Sequence, residues 1–275
     1  METRRMCPHC RAFITTSDRV CPYCDTKVGP RAVDRRDASE TLAGFIPHAH
    51  FVTVMIMVIN FGLFAATVLY SMRQGDSGAL MSVDSRTLAA FGAKWTQAIA
   101  AGQWWRLITA GFLHGGLIHI LMNSWVLFDL GSQVEEIYGW PRLIVFYLVA
   151  SFFGFYASAM WSPSISIGAS AGIFGLLGAM IALGVRHKNP AGAAIRSVYM
   201  RWAMYGLLLS FIPGIDIAAH IGGLAGGFGV AYLAGTPRLI DSMRERFWQI
   251  AAYGCIAITA YSFLQWYLWF SRVAI

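Results

Sequence analysis

Residues 143–185 read LIVFYLVASFFGFYASAMWSPSISIGASAGIFGLLGAMIALGV, 43 positions without Asp, Glu, Lys or Arg. A membrane helix needs about 20 mostly apolar residues to cross the hydrocarbon, so the run is long enough for two. Trp161-Ser162-Pro163-Ser164 divides it, because proline and short polar residues stop helices. The reading is two spans joined by a tight turn at 162–167. Working outward, charge-free gaps of span length recur at 51–72, 107–128, 217–237 and 247–271, and a further apolar segment, about 198–214, carries Arg201 near its start. Seven spans result. Of the 275 residues 57% are hydrophobic and only 13% charged, whereas a soluble domain is about a quarter charged. That balance excludes a water-covered globule, a disordered chain and a coiled coil. The pattern predicts an all-α polytopic membrane protein.

Cytoplasmic loops carry the excess of Lys and Arg. With the N-terminus inside, the outer segments hold only Arg73, Arg86, Lys94, Arg106 and Arg272, and the other sixteen basic residues fall inside. The expected arrangement is a multi-pass cell-membrane protein with a cytoplasmic N-terminus and an outer C-terminus. The net charge of +7 is then a topology signal. No basic-aromatic surface suggests nucleic acid. The polar, Cys-rich start does not read as a secretory signal.

Four of the five cysteines stand in Cys7-Pro8-His9-Cys10 and Cys21-Pro22-Tyr23-Cys24. Two C-x-x-C knuckles ten residues apart can bring four thiolates into a tetrahedron, the geometry of structural zinc. About 25 residues cannot build a sufficient core alone, so a bound metal would supply folding free energy. The same spacing also allows a redox pair or a disulfide-stapled knuckle, which a reducing cytosol disfavours. The expected organisation is a zinc-ribbon-like module at 1–26, a linker at 27–49, a six-helix core at 50–236 and an additional transmembrane helix within 237–275. A cytosolic protein is a candidate partner of the ribbon.

Polar side chains within spans are costly and mark function by default. Three groups qualify. His114, His119 and Asn123 surround the entry of the second span, where Gly115-Gly116 marks the helix start. They fit a hydrogen-bonded packing network or a metal, although an offset of five places the two histidines on different helix faces. Ser170 begins the fourth span within Gly168-Ala169-Ser170-Ala171-Gly172. Unpaired N–H groups at a helix start suit an oxyanion, and a small-residue helix interface accounts for the same residues. His220 begins the sixth span, ahead of two overlapping G-x-x-x-G pairs, Gly222/Gly226 and Gly223/Gly227. Spans four and six run in the same direction, so touching glycine faces would bring Ser170 and His220 to hydrogen-bond distance, about 3 Å.

Taken together, spans two to six resemble the rhomboid family of intramembrane serine proteases. The matching residues are Trp105-Arg106, the H-x(4)-H-x(3)-N of His114, His119 and Asn123, the G-x-S of Gly168 and Ser170, and the A-H-x-x-G-x-x-x-G from Ala219 through Gly223 to Gly227. Gly131-x-x-Val134-Glu135-x-x-x-Gly139, expected in an inner loop after span two, also resembles the family. The resemblance implies a Ser170–His220 dyad with no buried carboxylate and no catalytic cofactor. It gives the oxyanion the Ser170 N–H and the side chains of Asn123 and His119, with His114 in support. It also implies substrates that are transmembrane segments of other membrane proteins, cut near their outer ends in the bilayer, with the active site opening outward. Ala171 stands where the family often has glycine; a residue this small is expected to preserve activity. Arg106 is expected at headgroup level, anchoring the long outer loop 73–106. A proteolytically inactive membrane adaptor would lack Ser or His, and both are present. A transporter would show internal repeats or mid-span carboxylates, and the sequence has neither.

Overall fold

The computed structural model describes residues 4–7, 9–15, 18–28, 50–237 and 242–273. The chain forms two compact units, Met1–His48 and Ala49–Ile275. Of the expected linker at 27–49, only residues 27 and 28 lie within the described residues.

The first unit is a two-stranded antiparallel ribbon. Strand β1 (Arg4–Met6) pairs with β2 (Phe13–Thr15) in the register Arg4↔Thr15, Arg5↔Ile14, Met6↔Phe13. Its small core consists of Cys7, Ile14, Cys21 and Val28, with Cys24 against it.

The second unit is helical. Its elements are α1 (Phe51–Arg73), α2 (Ser85–Ala90), α3 (Thr96–Ala100), α4 (Arg106–Thr109) with a 3-10 turn at Ala110–Phe112, α5 (Leu117–Tyr138), α6 (Trp140–Trp161), α7 (Ser170–Arg186), α8 (Pro190–Leu209), α9 (Ile217–Ala234) and α10 (Ser242–Val273). The seven long helices follow the expected spans in order. Four of them, α1, α6, α9 and α10, are long and apolar enough to cross a membrane, and 106–112 with 117–138 makes a fifth if counted as one span. The length of α7 is about 25 Å, short of the roughly 30 Å hydrocarbon core. It is the central rod, buried from Ala171 to Gly184, so its neighbours rather than lipid surround it.

Three expectations change. The second span is not one rod from 107: the chain bends by 91° between Phe112 and Leu117, and Gly116 occupies the N-cap of α5. A side chain at Gly116 would run into the Met81 carbonyl. The helix answering to the fifth span, α8, starts about eight residues and ends about five residues earlier than expected, with Asn189 at its N-cap accepting from the Gly192 N–H. Glu135 lies in the last turn of α5 rather than in a loop after it. Its carboxylate accepts hydrogen bonds from the Val52 and Thr53 N–H groups and the Thr53 hydroxyl, at 2.7–3.0 Å. An anion there satisfies orphan donors at the start of α1 and complements its dipole.

Residues 74–105 form a folded cap on the end of the bundle where α5, α7 and α9 begin. Asp84 caps α2 by accepting from the Arg86 and Thr87 N–H groups. Lys94 pairs its backbone with Ser166, and its ammonium reaches the carbonyls of Ser162 and Ser164 at 2.7 and 2.8 Å. Arg106, expected to anchor this outer segment, is fully buried within it. Its guanidinium donates to the Ala89 and Ala93 carbonyls and to Gln103, and lies over the Trp105 and Trp269 rings. A buried cation needs such partners, and here it ties the cap together from within. Helix α10 braces the same cap, since the Trp266 indole donates to the Ala90 carbonyl. Toward its other end α10 docks through a bidentate ion pair between buried Arg142 and Glu245, at 2.6 and 2.8 Å.

Candidate functional site

The contact between α7 and α9 is built from glycine. A side chain at Gly223 would collide with the Ala171 carbonyl, and one at Gly227 with the Gly175 carbonyl. These two glycines put the backbone of α9 directly on α7. The overlapping pair, Gly222 and Gly226, faces α6 instead, against Ala157, Gly154 and Phe153. The two interleaved motifs therefore serve two partners. Ala171 fits in place of a glycine because residue 154 is itself glycine. A Cβ at 154 would stand 2.8 Å from the Ala171 methyl.

This packing sets Ser170, first residue of α7, beside His220 in the first turn of α9. The Ser170 Oγ lies 2.8 Å from the His220 Nε2. Ser170 is half-buried, and His220 is 6% exposed. The other face of the imidazole stacks on Phe174, with centroids 4.2 Å apart and planes 18° from parallel. The His220 Nδ1 lies 2.6 Å from the Ser210 Oγ, and the Ser210 hydroxyl reaches the Gly206 carbonyl at 2.7 Å. Among the described residues, no carboxylate hydrogen-bonds to the imidazole. Asp216, the nearest acid in sequence, caps α9 by accepting from the Ala219 N–H and is held by the Ser158 hydroxyl of α6.

The polar group at the start of α5 faces the same place. Gly168 adopts φ +126°, and a Cβ there would lie 2.8 Å from the His119 Nε2 and 3.5 Å from the Ser170 Oγ. Only glycine fits this left-handed, crowded position. The His119 Nδ1 lies 3.4 Å from the Gly115 backbone nitrogen. If Nδ1 accepts that N–H, the neutral ring carries its proton on Nε2, directed past Gly168. The Asn123 amide donates to the His119 carbonyl at 2.9 Å, one turn back on α5. His114 is completely buried and edge-on to His119, with centroids 5.1 Å apart. Trp105 is buried beside Arg106 in the cap, away from the dyad's immediate contacts. The structure thus joins Ser170 to His220 and places His119 and Gly168 next to them. Glu135 caps α1, remote in role from this cluster. Ser210, Phe174 and Ser158 were not anticipated. Phe174, four residues after Ser170, shares its helix face, and that spacing could have revealed it.

In the ribbon, the four Sγ atoms of Cys7, Cys10, Cys21 and Cys24 lie within 4.8 Å of one another. The Cys7–Cys24 and Cys10–Cys21 separations are 3.7 and 3.6 Å. Four sulfurs bonded at about 2.3 Å in a tetrahedron lie about 3.8 Å apart, so the cluster is already close to ligand spacing. The two knuckles share one construction. The residue after each second cysteine, Arg11 and Asp25, turns the chain with φ 59° and 54°. Its N–H bonds back to the first cysteine's carbonyl, at 3.0 and 2.9 Å. These four cysteines can hold a metal ion.

Part of the helical unit is similar to known proteins. The family model described as the Rhomboid domain matches residues 101–237. "Rhomboid protease GluP" of Bacillus subtilis is 39% identical over 158 residues, which are 57% of this chain and 31% of GluP. "RHOMBOID-like protein 6, mitochondrial" of Arabidopsis thaliana is 34% identical over 208 residues, 73% of this chain and 66% of that protein. "Putative rhomboid protease YdcA" of Bacillus subtilis is 32% identical over 138 residues, 49% of this chain and 69% of YdcA. The chain thus spans under a third of GluP and about two thirds of the other two.

Proposed function

The chain belongs to the rhomboid family, and from that premise we propose that it is an intramembrane serine endopeptidase working through Ser170 and His220. The observation that carries this reading is the 2.8 Å contact between the Ser170 Oγ and the His220 Nε2. That is the reach a general base needs. In the proposed reaction the Ser170 Oγ attacks the scissile carbonyl while His220 takes its proton at Nε2. The carbonyl oxygen becomes an oxyanion beside the start of α7. The Ser170 N–H and the His119 Nε2–H stabilise it, joined by the Asn123 amide once it turns from its own helix. His114 packs behind His119 and fixes its ring. His220 then protonates the leaving amine, the C–N bond breaks, and an acyl-enzyme remains on Ser170. Water, deprotonated by His220, attacks the ester and releases the acid.

The substrates are transmembrane segments of other membrane proteins. A helix locks its carbonyls in hydrogen bonds, so cleavage requires local unwinding near the end that meets the cap. The distribution of Lys and Arg supports a cytoplasmic N-terminus and a site opening to the outer side. The ribbon holds structural zinc through Cys7, Cys10, Cys21 and Cys24; the cysteine spacing supports this, and catalysis requires no cofactor. The module is available to a cytosolic partner. Boundaries of 1–26, 27–49, 50–236 and 237–275 are the proposed domain organisation.

The test uses purified full-length protein in liposomes with a tagged single-span substrate. Ser170→Ala and His220→Ala are each expected to abolish cleavage while retaining the wild-type melting profile. Full activity in Ser170→Ala would end the protease reading.

A further inference from the structure

We infer that Ser210 is the positioning residue of the catalytic histidine, occupying the place that a carboxylate takes in a Ser-His-Asp triad. The inference rests on the protease reading and extends it to a third side chain. General base function needs the neutral imidazole with its lone pair on Nε2 and its proton on Nδ1. An imidazole free to rotate or to exchange tautomers would spend part of its time with the proton on the wrong nitrogen. Something must therefore accept a hydrogen bond from Nδ1.

That acceptor is the hydroxyl of Ser210, 2.6 Å from Nδ1 and 3% exposed. Its own proton is committed elsewhere. The Ser210 Oγ lies 2.7 Å from the Gly206 carbonyl, one turn back at the end of α8, and a carbonyl can only accept. With that proton donated to Gly206, the lone pairs of Ser210 face the imidazole. The polarity of the whole relay follows: Ser170 Oγ–H to Nε2, Nδ1–H to Ser210 Oγ, and Ser210 O–H to the Gly206 carbonyl. Phe174 clamps the ring plane from the side, so Ser210 sets the tautomer and Phe174 sets the tilt. When His220 takes up the serine proton, both ring nitrogens become donors. The Ser210 oxygen then faces an imidazolium, to which a hydrogen bond is stronger than to a neutral ring. The interaction tightens as the reaction proceeds, so its effect belongs in kcat. A hydroxyl also brings no net charge into the apolar bundle, which a carboxylate would.

The experiment compares Ser210→Ala, Ser210→Val and Ser210→Thr in full-length protein in liposomes. Thr and Val share a shape, and only Thr keeps the hydroxyl. Readouts are kcat and KM for a single-span substrate, the rate of Ser170 labelling by a fluorophosphonate, and thermal stability. The expectation is a fall in kcat of about ten- to a hundredfold in Ala and Val, with KM little changed. Labelling should slow by a similar factor, and Thr should restore both. Ala or Val turning over like wild type while Ser170→Ala is inactive overturns the role of Ser210 and leaves the dyad standing. Loss of kcat equally in Val and Thr also overturns it, because shape rather than the hydroxyl would then be responsible. Cleavage surviving in Ser170→Ala refutes the underlying protease reading instead.

Discussion

Gly154→Ala is a perturbation of one methyl group, on a helix that contributes no proposed catalytic residue. The new Cβ would stand 2.6 Å from the Ala219 carbonyl oxygen and 2.8 Å from the Ala171 Cβ. Ordinary contact begins at 3.4 Å, so the packing must open by about 0.8 Å between α6 and α9 at Ala219 and by about 0.6 Å between α6 and α7 at Ala171. Ala219 immediately precedes His220, and Ala171 immediately follows Ser170. Either opening acts on the 2.8 Å contact of the dyad. A misplacement of about 1 Å can cost about a hundredfold in rate, so the expected loss in kcat is about ten- to a hundredfold. Overpacking of this kind costs about 1–3 kcal/mol, so the protein should remain folded. Ala171→Gly removes one of the two clashes, and the double variant Gly154→Ala/Ala171→Gly should recover part of the rate. The assay is turnover of a tagged single-span substrate in liposomes, with melting temperature measured in parallel. Wild-type kcat in Gly154→Ala, with an unchanged melting temperature, would refute the idea that close packing of α6, α7 and α9 sets the catalytic distance.

Asn123→Ala removes one proposed oxyanion donor and should lower kcat by about 10²–10³ with KM nearly constant; an unchanged kcat would remove Asn123 from the oxyanion site. Metal analysis of the purified protein should find about one zinc per chain, lost in Cys7→Ser/Cys10→Ser with melting of the ribbon. Absence of metal from wild-type protein would contradict the structural zinc site.

The parts of this fold that were legible in the sequence are those governed by composition over a whole span. Charge-free runs place six of the seven long helices, because lipid tolerates few charges; α8 carries Arg196 and Arg201 and was the least well placed. Interleaved glycines at 222, 223, 226 and 227 marked α9 as closely packed, since a missing side chain matters chiefly where backbones meet. Boundaries were harder. The bend before α5 depends on Gly116 passing the Met81 carbonyl, a contact across 35 positions that no local pattern reveals. Arg106 shows the limit most clearly. An arginine at a span's edge normally stays with its charge in water, but this one found two backbone carbonyls and Gln103 within the cap. Glu135 read as a loop residue because carboxylates end spans. Its real partners are N–H groups more than 80 residues away. Around the dyad, the Ser and His types could be singled out because they are costly in a membrane. Ser210 escaped notice since a serine at a helix end is commonplace, and only its position against His220 gives it meaning.

The most direct measurement of the central claim is covalent labelling of the full-length protein in liposomes with a fluorophosphonate, followed by mass spectrometric mapping of the modified residue. The account predicts a single modified serine, Ser170, with labelling lost in His220→Ala protein that is still folded. Modification of a different serine, or labelling of Ser170 at an undiminished rate without the imidazole of residue 220, would contradict it.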